Sequence, residues 1–224
     1  AEILAGVGFD WLFVDAEHGP LETTELLGIL QTVGDRLPCL VRVPAADETP
    51  IKKALDLGAA GIIAPQVNTA AQAADVVRFA RYAPAGGRGV GLARAHGYGM
   101  KFAEYLAWAA EQVTVVVQAE HAQAVENIEA IVAVEGIDAV FLGPYDLSAS
   151  MGKMGQIDDP EVVAAIEHVT DVCRQAKLPL GYFGQSAEAV APYAAQGYSL
   201  IVAGVDTLLL GTAAKSLVGE LRGT

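Results

Sequence analysis

Residues Val113–Gly152 read VTVVVQAEHAQAVENIEAIVAVEGIDAVFLGPYDLSASMG. Val113–Val117 is a run of β-branched residues, the pattern of a strand buried on both faces. It ends in Gln118-Ala119-Glu120. Ala122–Val134 carries apolar residues at Val125, Ile128, Ile131 and Val132, a helical spacing. Asp138–Leu142 is the next short strand, and Gly143-Pro144-Tyr145-Asp146 follows it. The stretch is therefore strand, helix, strand, then a loop opening a helix. In a parallel βαβ unit the C-terminal ends of the two strands lie side by side. That places two carboxylates, Glu120 and Asp146, at neighbouring strand ends. Two carboxylates do not make a closed zinc site, which takes four N or S ligands. They suit a hard divalent cation with open positions. On spacing alone, a pair of ordinary loop acids is the simpler reading.

The same alternation runs outward in both directions. Strands are expected at Phe9–Glu17, Cys39–Val43, Gly61–Ala64, Leu178–Phe183 and Ser199–Ala203. Helices are expected at Leu21–Val33, Pro50–Leu57, Thr69–Tyr82, Phe102–Ala110, Pro160–Ala176, Ala187–Gln196 and Thr207–Leu221. Ala1–Gly8 reads as the end of a helix closed by glycine. Strands alternating with helices over this length predict a parallel sheet in one domain spanning 1–224. The pattern yields seven strands, and a closed (β/α)8 TIM barrel needs an eighth.

Composition narrows the partners. With 14 basic and 27 acidic residues the net charge is −13, which argues against nucleic acid or an anionic membrane. The chain is 53% apolar, enough for a large core. No apolar run reaches the roughly 18 residues of a membrane span, and no signal peptide is recognisable. Cys39 and Cys173 lack metal spacing and read as buried free thiols of a cytoplasmic protein.

His18 follows the first strand in VDAEHGP. A histidine titrates near neutral pH and can take a proton from carbon beside a ketone, although a lone histidine after a strand is more often structural. Asp15, three residues earlier, is a candidate to orient it. Arg42 ends the second strand inside LVRVP, where a buried cation needs an anionic partner. It is either half of an ion pair or a fixed charge for an oxyanion. The glycine-rich loop Pro84–Gly91, PAGGRGVG, lacks the P-loop lysine and the GxGxxG pattern, so a nucleotide reading is weak.

The motifs QAE and GIDAVFLGPYDLSASMG resemble those of the metal-dependent pyruvate aldolases, relatives of 4-hydroxy-2-oxoheptanedioate aldolase and 2-dehydro-3-deoxyglucarate aldolase, and the resemblance covers nearly the whole chain. It implies a (β/α)8 barrel, here lacking its first strand through truncation. It implies a lyase joining pyruvate, or a close 2-oxo acid such as hydroxypyruvate, to an aldehyde through a metal-stabilised enolate. Decarboxylation of oxaloacetate passes through the same enolate, and a noncatalytic metal-binding subunit is the rival of another class. The resemblance further implies Glu120 and Asp146 as ligands of Mg²⁺, Mn²⁺ or Co²⁺, and His18 as the proton acceptor, directly or through a water. Asp56 is implied as the acid that raises the basicity of His18, and Arg42 as the enolate clamp. Gln118 is a substrate contact through its amide, and Gly143–Asp146, including Tyr145, a backbone seat for the pyruvate carboxylate. Phe183 is implied to shape the aldehyde side, with an ordinary core aromatic as the other reading. Tyr145 stands where the family commonly has alanine. The loop Pro84–Gly91 is expected near the site or a subunit contact. A homo-oligomer, a hexamer exchanging its C-terminal helix, is implied as well.

Overall fold

The computed structural model describes residues 1–223. Among them, β1 (Leu12–Asp15), β2 (Cys39–Arg42), β3 (Gly61–Ala64), β4 (Thr114–Ala119), β5 (Ala139–Leu142), β6 (Leu180–Gly184) and β7 (Leu200–Ala203) form one parallel sheet in sequential order. The connecting helices are α1 (Thr23–Val33), α2 (Glu48–Asp56), α3 (Ala70–Ala80), α4 (Phe102–Gln112), α5 (Ala122–Glu126), α6 (Ile128–Val132), α7 (Pro144–Ser150), α8 (Pro160–Gln175), α9 (Ala187–Ala195) and α10 (Asp206–Arg222). The residues expected to finish a helix at the start form only a short 3₁₀ turn, Leu4–Gly6.

Side chains on a strand alternate between faces, and here the alternation builds two cores. The outward faces of the strands pack against the helices, as Val41, Ile62, Val115, Val117, Val140 and Leu142 do. The inward set is Phe13, Leu40, Ile63, Val116, Ala139, Phe141, Phe183, Leu200 and Val202. The rings of Phe13 on β1 and Phe141 on β5 have centroids 5.6 Å apart, although the two strands are not neighbours in the sheet. Only a strongly curled sheet brings them together, so the architecture is a nearly closed α/β barrel. Among the described residues, β1 pairs with β2 and β7 with β6, and no pairing joins β7 to β1.

One expected helix is not continuous. Ala122–Val134 is broken into α5 and α6 at Asn127, whose φ of −107° and ψ of 9° leave the helical range. The Asn127 side chain donates to the carbonyl of Asn68 at 2.9 Å, tying the break to the loop between β3 and α3. Asparagine competes with the helix by such bonds, which is why it favours caps and turns.

Candidate functional site

The inward register that fills the barrel with apolar side chains becomes polar at the C-terminal ends of the strands. Phe13 is followed two residues on by Asp15, Leu40 by Arg42, and Val116 by Gln118 and then Glu120. Asp15 and Arg42 face each other in the β1–β2 register. The guanidinium donates from Nε to Asp15 Oδ1 at 2.9 Å and from Nη2 to Oδ2 at 2.6 Å. Its Nη1 lies 3.2 Å from Glu17 Oε2, and its face rests on the Phe13 ring with Cζ 5.3 Å from the centroid. Arg42 is 12% exposed, so the forked pair is strong. Burial pushes the Asp15 carboxyl up, but Arg42 and two backbone N–H groups outweigh it and hold it below the usual range.

Those N–H groups belong to Glu17 and His18, which donate to Asp15 Oδ1 at 3.0 and 3.3 Å. Asp15 thus shapes the loop that carries His18 and holds its backbone in place. The chain must then pass so close to the Asp15 carbonyl that a Cβ at position 19 would collide with it, hence Gly19. The imidazole is 67% exposed, and its Nε2 lies 3.9 Å from Glu17 Oε2. Glu17 therefore links the histidine to the arginine. Burial, with Asp15 and Asp146 nearby, raises the Glu17 carboxyl despite Arg42 and His18.

Across the barrel mouth, Glu120 is 2% exposed. Its Oε1 accepts from the backbone N–H of Gln66 at 2.8 Å, and its Oε2 accepts from the Gln118 amide. A Cβ at position 143 would lie 2.8 Å from Glu120 Oε2 and 2.9 Å from Gln118 Nε2, so Gly143 is what lets the β5 end approach them. Beyond it α7 begins with Pro144, then Tyr145 and the exposed Asp146. Burial pushes Glu120 up to about 7, and the neighbouring Asp146 and Glu17 charges add to this. An extra positive charge would relieve that crowding. The buried Gln118 Oε1 also has no hydrogen-bond partner. These donors fit a hard divalent cation. Among the described residues no group of three or more His, Cys, Asp or Glu side chains is placed to enclose one. The Glu120–Asp146 pair would therefore leave coordination positions open. On the neighbouring strand, the half-buried Phe183 pairs with Tyr145, ring centroids 6.3 Å apart and tilted by 60°.

Asp56 is not brought to this constellation. It ends α2, which runs back from the C-terminal ends of the strands, so it sits at the opposite end of the barrel. There it accepts from Arg88 Nη2 at 2.6 Å, beneath the rings of Tyr82 and Tyr105. The carboxylate beside His18 within the chain is Glu17. Spacing gives no sign of it, since Glu17 adjoins the histidine and alternation along a strand would separate the two; the chain has left the strand after Asp15. The loop Pro84–Gly91 is tied back to the end of α3: Gly86, Gly87 and Arg88 donate their backbone N–H groups to the carbonyls of Tyr82, Arg78 and Arg81. His96 is buried with Tyr82 at 3.0 Å, His121 caps α5, and His168 lies 3.5 Å from Glu129.

Comparison with known proteins follows the same lines. The family model described as HpcH/HpaI aldolase/citrate lyase matches residues 1–213. A 4-hydroxy-2-oxovalerate aldolase of Rhodococcus jostii is 46% identical, over 98% of this chain and 86% of its own length. A hydroxypyruvate/pyruvate aldolase of Pseudomonas aeruginosa is 42% identical, over 100% of this chain and 84% of its own. The crystal structure of an HpcH/HpaI aldolase/citrate lyase family protein from Burkholderia cenocepacia superimposes with a TM-score of 0.93 at 38% identity, covering 99% of this chain and 89% of that one.

Proposed function

The chain belongs to the HpcH/HpaI aldolase/citrate lyase family, and from that membership we propose that it is a lyase that joins pyruvate, or hydroxypyruvate, reversibly to an aldehyde. The observation that carries the reading is the facing of two charged sets across one barrel mouth, His18–Glu17–Arg42–Asp15 and Gln118–Glu120–Asp146. Glu120 and Asp146 would hold a divalent cation, Mg²⁺ or alternatively Mn²⁺ or Co²⁺, which when bound supplies a Lewis acid for the carboxylate and ketone oxygens of the 2-oxo acid. The fit rests on the raised Glu120 carboxyl and the unpartnered Gln118 oxygen.

The protein groups do the rest. His18 takes the C3 proton of pyruvate, and Glu17 offsets the charge the imidazole then gains. Arg42 donates the N–H groups left over from Asp15 and Glu17 to the developing enolate oxygen, held still by its forked pair. The Gln118 amide and the backbone at Tyr145 and Asp146 orient the substrate carboxylate, and Phe183 shapes the aldehyde side. No lysine ends a strand in this constellation, so a Schiff base has no candidate here. Oxaloacetate would reach the same enolate by losing CO₂. We place the enzyme in the cytoplasm, consistent with buried free thiols at Cys39 and Cys173 and with no helix among the described residues long and apolar enough to cross a membrane.

Two assembly features belong to the same proposal. A further strand between β7 and β1 would close the barrel. A homo-oligomer, a hexamer, would cover α10, which has no buried residue and exposes Leu210, Leu217 and Leu221. The decisive test is exchange of the pyruvate C3 protons in D₂O with added Mg²⁺ or Mn²⁺. Exchange supports the enzyme, whereas metal binding without exchange supports a noncatalytic metal-binding subunit.

A further inference from the structure

Among the described residues, three other than glycine have a left-handed backbone: Gln66, Tyr98 and Lys177, with φ of 55°, 57° and 57°. A side chain makes that conformation costly, so each needs a reason. Lys177 follows α8, where it and Leu178 donate back to the carbonyls of Arg174 and Cys173, a common way to end a helix. Tyr98 lies between Gly97 and Gly99 in a 3₁₀ turn. Gln66 ends no helix. It lies just beyond β3 at the barrel mouth, and its side chain is exposed. The backbone is the part that is used: the Gln66 N–H donates to Glu120 Oε1 at 2.8 Å.

The loop around Gln66 is pinned. Ala64, Pro65 and Val67 on either side are buried. The Asn68 N–H donates to Gln72 Oε1 at 2.8 Å, and the Thr69 hydroxyl accepts from the Gln72 N–H at 3.2 Å as α3 begins. The Asn68 carbonyl accepts from Asn127 Nδ2 at 2.9 Å, a bond that issues from the break between α5 and α6. A strained residue persists only where its surroundings over-determine it. One line of contacts thus runs from Asn127 through Asn68 and Gln66 to Glu120.

Resting on the assignment of Glu120 as a cation ligand above, we propose that Gln66 is a positioning residue whose left-handed backbone sets the Glu120 carboxylate, and that the helix break at Asn127 is its brace. The Gln66 N–H fixes Oε1 while the Gln118 amide fixes Oε2. A carboxylate has about four acceptor sites, so both oxygens keep lone pairs for a cation. Hydrogen-bond partners that orient a metal ligand are worth about 10–100-fold in metal affinity. On this account the effect belongs to the backbone at position 66 and not to the glutamine side chain.

The test is calorimetric titration of the metal-free full chain with Mn²⁺ alone, without substrate. Gln66→Ile, whose β-branched side chain strongly disfavours positive φ, is expected to weaken binding about tenfold. Gln66→Gly loses the same amide but adopts positive φ freely, and is expected to bind as tightly as wild type. Wild-type affinity in Gln66→Ile overturns the proposal. So does an equal loss in Gln66→Gly, which would assign the effect to the side chain. Asn127→Ala removes the brace and favours helix. Its helical content by circular dichroism is expected to hold or rise while Mn²⁺ affinity falls several-fold, and an unchanged affinity overturns the brace. Should Gln66→Ile not fold, Asn127→Ala, which leaves residue 66 in place, decides. Glu120→Ala is titrated in parallel. If it binds Mn²⁺ like wild type, the cation assignment fails and this inference with it. If it loses Mn²⁺ while Gln66→Ile and Asn127→Ala do not, this inference alone is refuted.

Discussion

Asp15→Asn is the most informative substitution, because Asp15 holds both the arginine and the histidine loop. The amide oxygen can still accept from the N–H groups of Glu17 and His18, which lie 3.0 and 3.3 Å from Oδ1 in the wild type. The amide NH₂, however, replaces the oxygen that faces Arg42 Nη2 at 2.6 Å, setting donor against donor. Removing one partner of a fully buried ion pair costs about 3–5 kcal/mol. Here Arg42 keeps Glu17 at 3.2 Å and Asp15 is 31% exposed, so about 2 kcal/mol is a better figure. For a domain of this size that lowers Tm by roughly 4–8 °C. The sign with pH follows from the depressed carboxyl. Asp15 titrates near its ordinary 3.8 when unfolded and lower when folded. Its stabilisation is complete above about pH 4 and is lost as the pH falls through the folded value. The difference between variant and wild type, read by urea unfolding, should therefore be full at pH 7 and shrink below pH 4. Loosening Arg42 should also slow pyruvate C3 exchange roughly 10²–10³-fold, the usual worth of one oxyanion donor. A variant that keeps both wild-type stability at pH 7 and wild-type exchange would refute the idea that Asp15 positions Arg42.

Other substitutions separate the remaining roles. His18→Ala should depress C3 exchange and aldol addition by roughly 10²–10⁴, yet slow oxaloacetate decarboxylation much less, since CO₂ loss leaves the electrons behind without a base; equal losses would contradict the assignment. Glu120→Ala should weaken Mn²⁺ binding, read by calorimetry, and depress exchange, addition and decarboxylation together after subtraction of the free-metal rate. Leu210→Asp combined with Leu217→Asp should reduce the assembled mass seen by light scattering, because both leucines lie on the uncovered face of α10; a wild-type protein that is already monomeric at working concentration would rule out that role.

The parts of the molecule written in periodicity were legible from the sequence. Gly61–Ala64 is the strand expected, and the others differ from expectation mainly at their ends. Asn127 escaped because apolar spacing continues on both sides of it, while the break depends on a carbonyl 59 residues away. Glu120 could be placed because alternation along β4 fixes where its end points, and Asp146 because parallel pairing sets the start of α7, just past β5, beside it. Arg42 was left open between ion pair and oxyanion clamp, and the structure gives it the ion pairs with donors to spare. Asp56 and Glu17 show what spacing cannot supply. One lies at the far end of a helix that returns across the barrel, and the other is brought beside His18 by a turn whose shape depends on Asp15 and Gly19.

The continuity between the apolar barrel filling and the polar groups above it has an evolutionary consequence. Asp15, Arg42 and Gln118 share strand parity with Phe13, Leu40 and Val116. One residue inserted into β2 below Arg42 would turn the guanidinium out into the helix layer and swing Val41 into the mouth. Loops at the rim can lengthen, shorten and acquire new residues with little penalty, whereas the strands beneath tolerate exchange of side chains but not a change of count. Diversification of such a catalyst is thus channelled into substitution at fixed strand positions and into the rim.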